Sequence, residues 1–504
     1  MWAADGTTGY EFIDHMGLLL VDPGAERALT ETFERYTGAA FDPARERRVA
    51  RLDVMGDALN SELSRLTELA VRACGVSVAC RDYTRDEIRT ALGEIFAGLR
   101  AYRTYGGEHP DPEGRERLAI AVRATAELDR DLLAFLEAAL AFELPTAEAR
   151  DLAFAAQQTT GAIIAKGDED TLSYRQVRLL SRCEVGADLE LFASEPAAIH
   201  AALATGRPRS LLASSTHDTK RGEDVRARIA VISELPGRWD AAIERFRVRA
   251  EPGWGDITPD RTFEYAAWQT LVGAWPLTVE RAQTWAEKAT REARQRTSWR
   301  KPDAAYEAAR RQWIDRVFGD RALCDELAAV AAELSPHGDR NSLAQTLIKL
   351  TAPGIPDFYQ GTELRDDNLV DPDNRRPVDL AHRAQLVREL ADGDPPEDLP
   401  RAKLWLIRRV LDARRRDPTV FGGDYQPRAA TGPHAHRVFA FTRNDTLLTV
   451  APRLGVHAEG WRDTTIDLGP GTWRDLLGGA IHTGSVAMAE LWRRFPVALL
   501  TREA

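Results

Sequence analysis

Two short apolar runs, each ending in a polar cluster, constrain this chain more than any other feature. Ser210-Leu211-Leu212-Ala213-Ser214-Ser215-Thr216 leads into His217-Asp218, and Gly354-Ile355-Pro356-Asp357-Phe358-Tyr359 leads into Gln360-Gly361-Thr362-Glu363. Runs of this length suit buried strands better than helices. Strong helical patterns lie between them, for example Leu343 to Leu350. Short strands separated by helices are the layout of a parallel (β/α) barrel, where active residues sit at the C-terminal ends of strands. The expected fold class is α/β.

The flanking segments read differently. Residues 6–22, GTTGYEFIDHMGLLLVD, are a Gly/Thr loop and a short apolar segment closed by Asp22-Pro23. From there to about residue 155 the pattern is nearly all helical. Leu59, Leu63, Leu66 and Ala70 recur at helical spacing, as do Leu132, Leu133, Leu136 and Leu140, and Thr84 with Glu87 forms a capping-box signature. After about residue 400 a basic helix, AKLWLIRRVLDARRR, runs into Asp417-Pro418. Period-2 runs at 437–442, 446–450 and 497–501 then predict a small antiparallel β domain.

Composition narrows the function classes. A formal charge of -11 argues against nucleic acid as a partner, because phosphate binding needs a concentrated basic surface. Cys74, Cys80, Cys183 and Cys324 are too few for a disulfide framework and match no zinc spacing, so buried free thiols are expected. No run approaches the roughly 18 apolar residues of a membrane span, and no signal peptide is visible, so the cytoplasm is the expected compartment. Gly161 to Gly167 places Lys before Gly and has no following Ser/Thr, which fails as a phosphate loop. There is neither an HExxH pair nor a GxSxG elbow, so metal-dependent and serine hydrolysis have no support, and neither a metal nor a cofactor is expected.

Three polar clusters can carry chemistry. The densest is Thr216-His217-Asp218-Thr219-Lys220-Arg221, followed by Glu223, Asp224, Arg226 and Arg228. A carboxylate gripping ring hydroxyls helps hold a sugar near an oxocarbenium-like transition state; the alternative is a solvated loop with Asp218 capping the helix that follows. The second, Pro353 to Glu363, has prolines that stiffen the backbone and aromatics, Phe358 and Tyr359, that suit either a sugar subsite or a core. The third, Asp371-Pro372-Asp373-Asn374-Arg375-Arg376-Pro377-Val378-Asp379, opens like a calcium loop but puts Arg375 and Arg376 where an oxygen ligand and Gly belong. Salt bridges and hydroxyl-binding side chains fit it better than calcium. Trp299 is either a stacking platform for a sugar ring or a buried Trp.

Six segments together resemble the maltooligosyltrehalose synthases of the α-amylase superfamily: GTTGYEF (6–12), QTTGAIIAKGDEDTLSYR (158–175), SSTHDTKRGEDVRARI (214–229), LVGAWP (271–276), TSWRKPDAAYE (297–307) and APGIPDFYQGTELRDDNLVDPDNRRPVD (352–379). The resemblance covers essentially the whole chain. It implies the C-terminal part of a (β/α)8 barrel with a large helical insertion and a C-terminal antiparallel β domain. The segments would be 1–22 (near the sixth strand), 23–155 (insertion), 156–399 (about strands seven and eight) and 400–504 (linking helix and β domain). It also implies intramolecular transglucosylation, in which the reducing-end α-1,4 linkage of a maltooligosaccharide becomes α,α-1,1.

Retaining chemistry of this kind needs a nucleophile and a separate acid/base carboxylate about 5 Å apart. By resemblance both precede the GTTGY-type segment, which here begins at Gly6. The expectation is therefore a chain without these two groups, inactive until a separate polypeptide supplies the missing strands. Only the third carboxylate, Asp218, and its neighbour His217 carry over as catalytic. Lys220, Arg221, Glu223, Asp224, Arg228, Lys166, Trp299, Tyr359, Gln360, Glu363, Asp373, Asn374, Arg375 and Arg376 are the expected substrate-binding residues. Competing readings are a non-catalytic α-glucan-binding or regulatory fragment, and an α-glucan hydrolase or glucanotransferase.

Overall fold

The computed structural model describes residues 4–107, 111–125, 127–251, 260–390, 394–457 and 461–503. The chain divides into two compact units. One comprises Asp42–Gln176 with Glu292–Gln295; the other comprises Ala4–Phe41, Val177–Arg291 and Arg296–Ala504. The helical unit thus starts later and ends later than the expected 23–155 block, and the helix Glu26–Thr37 belongs to the second unit.

The first unit is built as its apolar spacing demands. Leu63, Leu66, Ala70, Leu132, Leu133, Leu136 and Leu140 are all buried in one cluster, and Leu59 packs partly buried against it. Thr84 and Glu87 make the reciprocal capping box at the start of the helix Arg85–Gly98. That pairing satisfies backbone N–H groups that the first turn leaves without partners.

In the second unit the apolar segment after GTTG is a helix, Tyr10–Leu19, preceded by the extended stretch that carries Thr7. Phe12, Ile13, Met16 and Leu19 fall at helical spacing and are buried. Gly9 turns the chain into this helix with φ +86, and a Cβ there would lie 2.4 Å from the Leu211 carbonyl oxygen. Only glycine combines that left-handed backbone with so close an approach.

The two apolar runs do pair. β1 (Leu211–Leu212) and β2 (Ile355–Pro356) are parallel, with Leu211 opposite Ile355. The Ile355 N–H donates to the Ser210 carbonyl at 2.9 Å, and the Asp357 N–H donates to the Leu212 carbonyl at 3.2 Å. On the opposite edge of β1, the Leu211 N–H donates to the Thr7 carbonyl at 3.1 Å. The parallel sheet has two strands among the described residues.

The C-terminal part is an antiparallel sheet of β3 (Tyr425–Arg428), β4 (Ala430–Thr431), β5 (Val438–Arg443), β6 (Leu447–Pro452), β7 (Thr465–Asp475), β8 (Ile481–Ala487) and β9 (Ala498–Arg502). The order is β3-β5-β6-β9-β7-β4, with β8 on β7. Alternation sorts the central strands onto two cores. Phe439, Phe441, Leu447 and Leu499 join the helices Arg321–Thr351 and Leu399–Arg416, while Val438, Ala440, Leu448 and Leu500 form a second cluster. Both faces are covered, so β5 and β6 are buried throughout. All four cysteines are free, three of them buried. No helix among the described residues is long and apolar enough to cross a membrane.

Candidate active site

His217 and Asp218 lie on the loop that leaves the C-terminal end of β1. His217 is exposed and Asp218 half-buried. The loop is pinned through its backbone. Asn374 Nδ2 donates to the His217 carbonyl at 3.0 Å and to the Thr216 carbonyl at 3.4 Å. Thr216 Oγ1 accepts the Asp218 N–H at 3.1 Å, and Thr219 Oγ1 donates to the Thr216 carbonyl at 2.9 Å. Among the described residues the Asp218 carboxylate has no hydrogen-bond or ion-pair partner. Asp218 is not a helix cap: the helix Glu223–Ala230 has Gly222 at its N-cap.

Beneath the loop lies a buried charge cluster. Lys403 binds Glu223 at 2.5 Å, Asp224 at 2.9 Å and the Leu364 carbonyl at 3.3 Å. Lys349 donates to Ser214 Oγ at 2.6 Å, sits 3.6 Å from Glu223 and lies 3.9 Å over the Phe358 ring. Ser214 donates in turn to Glu223, Ser342 donates to Asp224, and Arg226 reaches the Ser214 carbonyl. Burial opposes charge on Glu223, but Lys349 and Lys403 outweigh it and hold its carboxyl below the usual range. Burial lowers Lys349. It also opposes charge on Lys403, but Asp224 and Glu223 prevail and raise it.

This changes the reading of several expected substrate contacts. Glu223 and Asp224 are buried and make internal ion pairs with Lys403. Arg228 is buried and donates to the carbonyls of Val272, Gly273 and Trp275 at 3.3, 2.9 and 3.0 Å. It satisfies the end of the helix Arg261–Ala274, the LVGAW motif. Arg221 is fully buried, donating to the carbonyls of Leu180 and Cys183. Lys220 is buried, with its N–H on Glu184 at 2.6 Å. Asn374 is buried and serves the loop backbone as described. Asp373 takes a two-pronged contact from Arg281 at 2.9 Å and the Leu369 N–H at 2.7 Å, so its carboxyl is held low although burial opposes this.

The remaining positions are more open. Arg375 pairs with Asp371, and Arg376 with Asn368 at 2.6 Å and Asp367 at 3.3 Å, so salt bridges cross the 371–379 loop. Tyr359 is half-buried and Gln360 exposed, while Glu363 pairs with Arg383. Trp299 is half exposed, with the Arg291 guanidinium 4.7 Å from its ring. Lys166 belongs to the other unit, where it pairs with Asp170 at 2.6 Å.

Sequence reasoning gave no individual role to Lys349, Lys403, Asp366, Ser214 or Ser215, although the two serines lie in the segment it singled out. A signal existed: Lys349 and Lys403 each interrupt an otherwise apolar helical run, LAQTLIKL and AKLWLI. A lysine buried in such a stripe needs a carboxylate partner. Chemically, the loop offers one uncommitted carboxylate and one exposed imidazole. Together they can accept and donate hydrogen bonds to sugar hydroxyls and stabilise developing positive charge.

No family model matches the chain. A Mycobacterium tuberculosis protein named as a maltooligosyl trehalose synthase is 36% identical over 517 aligned residues, covering 99% of this chain and 63% of that protein. The solved maltooligosyltrehalose synthase of Arthrobacter ramosus superposes with a TM-score of 0.89 at 37% identity, over 100% of this chain and 64% of that one. A Sulfolobus tokodaii structure titled as a hypothetical maltooligosyl trehalose synthase gives 0.80 at 25% identity, over 99% of this chain and 63% of its own. The chain spans a little under two thirds of the length of each of these. By sequence and by fold, the whole chain is a relative of the maltooligosyl trehalose synthases.

Proposed function

We propose that this chain supplies one face of the active site of an isomerase that moves the reducing-end α-1,4 linkage of a maltooligosaccharide to α,α-1,1, leaving a terminal trehalose unit. Asp218 stabilises the transition state and grips sugar hydroxyls, and His217 assists. The observation that carries this is the uncommitted Asp218 carboxylate beside an exposed imidazole, on a pinned loop at the C-terminal end of β1. Thr7, β1 and β2 lying side by side support reading them as the last strands of a (β/α)8 barrel, whose chemistry gathers at that end. Tyr359, Gln360, Trp299 and Arg376 are the expected substrate contacts that remain open to a sugar.

The reaction needs a nucleophile and an acid/base carboxylate as well. We propose that polypeptide outside these 504 residues provides them and that the chain alone is inactive. The buried carboxylates beneath β1 cannot fill those roles, because Lys403 and Lys349 hold them inside. The proposed setting is the cytoplasm, where maltodextrins are the substrate.

The test is product identity from maltopentaose by NMR, for the chain alone and for the chain co-expressed with the remaining third of a relative. The expected result is an α,α-1,1 anomeric signal only in the combination. Free glucose and shorter maltodextrins alone would make it a hydrolase or glucanotransferase. Glucan binding without turnover in the combination would make it a binding module.

A further inference from the structure

The two serines that open the His217–Asp218 loop are held from beneath by different carboxylates. Ser214 is tied to Glu223, whereas Ser215 donates to Asp366 at 2.7 Å. Asp366 also accepts the N–H groups of Glu223 at 3.3 Å and Asn368 at 3.2 Å. One side chain thus ties the end of β1 to the first turn of the Glu223–Ala230 helix and to the 366–368 loop. The backbone makes room for it: a Cβ on Gly222 would lie 2.5 Å from Asp366 Cγ.

The charges do not balance. Glu223, Asp224 and Asp366 are three carboxylates, against the two ammonium groups of Lys349 and Lys403. Lys403 contacts Glu223 and Asp224, so Asp366 is the surplus member. Burial first, then Glu223 and Asp224, push its carboxyl up to about 6, with Lys403 and Ser215 opposing. Tyr359 and Arg281 also feel its charge. A buried charge that is only partly compensated costs stability, so its return lies in geometry.

We propose that Asp366, as a carboxylate, is a positioning residue that aims the His217–Asp218 loop through Ser215. Its importance for turnover rests on the function proposed above; its hold on the loop does not. The folded carboxyl sits above its ordinary value of 3.8. Whatever stability the protonated form lends is therefore full below that value and lost as pH rises through about 6.

The test uses Asp366→Asn and Ser215→Ala in the full chain. It follows the His217 imidazole resonance from pH 4 to 8, assigned by its loss in His217→Gln, together with thermal melting. In the unmutated protein the resonance should show an added inflection near pH 6 that both variants remove. Asp366→Asn should melt higher at pH 7.5, with the gap closing by pH 4. In the completed enzyme kcat should fall about tenfold or more with KM little changed. If the His217 resonance of both variants follows the unmutated protein at every pH, the proposal is overturned. If it responds but the completed unmutated enzyme makes no α,α-1,1 product, the positioning role stands and the proposed function fails. Ser215→Ala cuts the same link while keeping all three carboxylates and both lysines, and decides the matter should Asp366→Asn not fold.

Discussion

The loop that follows β1 and the outer edge of the loop that follows β2 leave neighbouring strands in the same direction, yet they are held by different means. The loop after β1 rests on charges with no solvent contact: Lys349, Lys403 and Glu223 all have fully buried side chains. The loop after β2 lends Asp366 and Asn374 to that buried support, but its outer edge is laced by ion pairs at the surface, such as Arg375–Asp371 and Arg376–Asp367, whose side chains are between 38% and 55% exposed. Buried charges interact strongly and admit few geometries, because any misplacement leaves one uncompensated. Surface pairs are screened and interchangeable. The difference marks the β1 loop as the place where position matters, and that loop carries Asp218.

Breaking the buried side should cost most. Lys403→Met strands Glu223 and Asp224 without their shared partner, and an uncompensated buried charge costs about 3–5 kcal/mol. Urea unfolding should show that loss, and an unchanged midpoint would mean the cluster is not the support described. Asn374→Ala removes one donor from two loop carbonyls, at about 1–3 kcal/mol. Hydrogen exchange at Thr216 to Thr219 should quicken while the C-terminal sheet stays protected. Arg375→Ala, at the exposed end of the comparison, should move stability by less than about 0.5 kcal/mol. A larger effect would erase the contrast between the two loops.

Much of this architecture was legible in the chain. The helical spacing of Leu63, Leu66 and Ala70, the Thr84–Glu87 cap and the alternation in β5 and β6 are local patterns, and local patterns survive folding. The pairing of β1 with β2 was readable because two short apolar runs needed a shared sheet. The site was less legible. Glu223, Asp224 and Arg228 have the residue types of a sugar site, and nothing local shows that Lys403, 179 residues away from Asp224, claims two of them. Arg228 resembles a ligand donor until the end of the Arg261–Ala274 helix appears beside it. The Tyr10–Leu19 helix was obscured for a different reason: its ten residues are short enough for periodicity to be ambiguous.

In the function proposed above, this rigid support presents Asp218 to the substrate. The most direct test is Asp218→Asn in the chain co-expressed with the remaining third of a relative, reading formation of the α,α-1,1 linkage from maltopentaose. kcat should fall about a hundredfold or more with the melting temperature unchanged, because no internal partner among the described residues depends on that carboxylate. Turnover within a few-fold of the unmutated enzyme would contradict it.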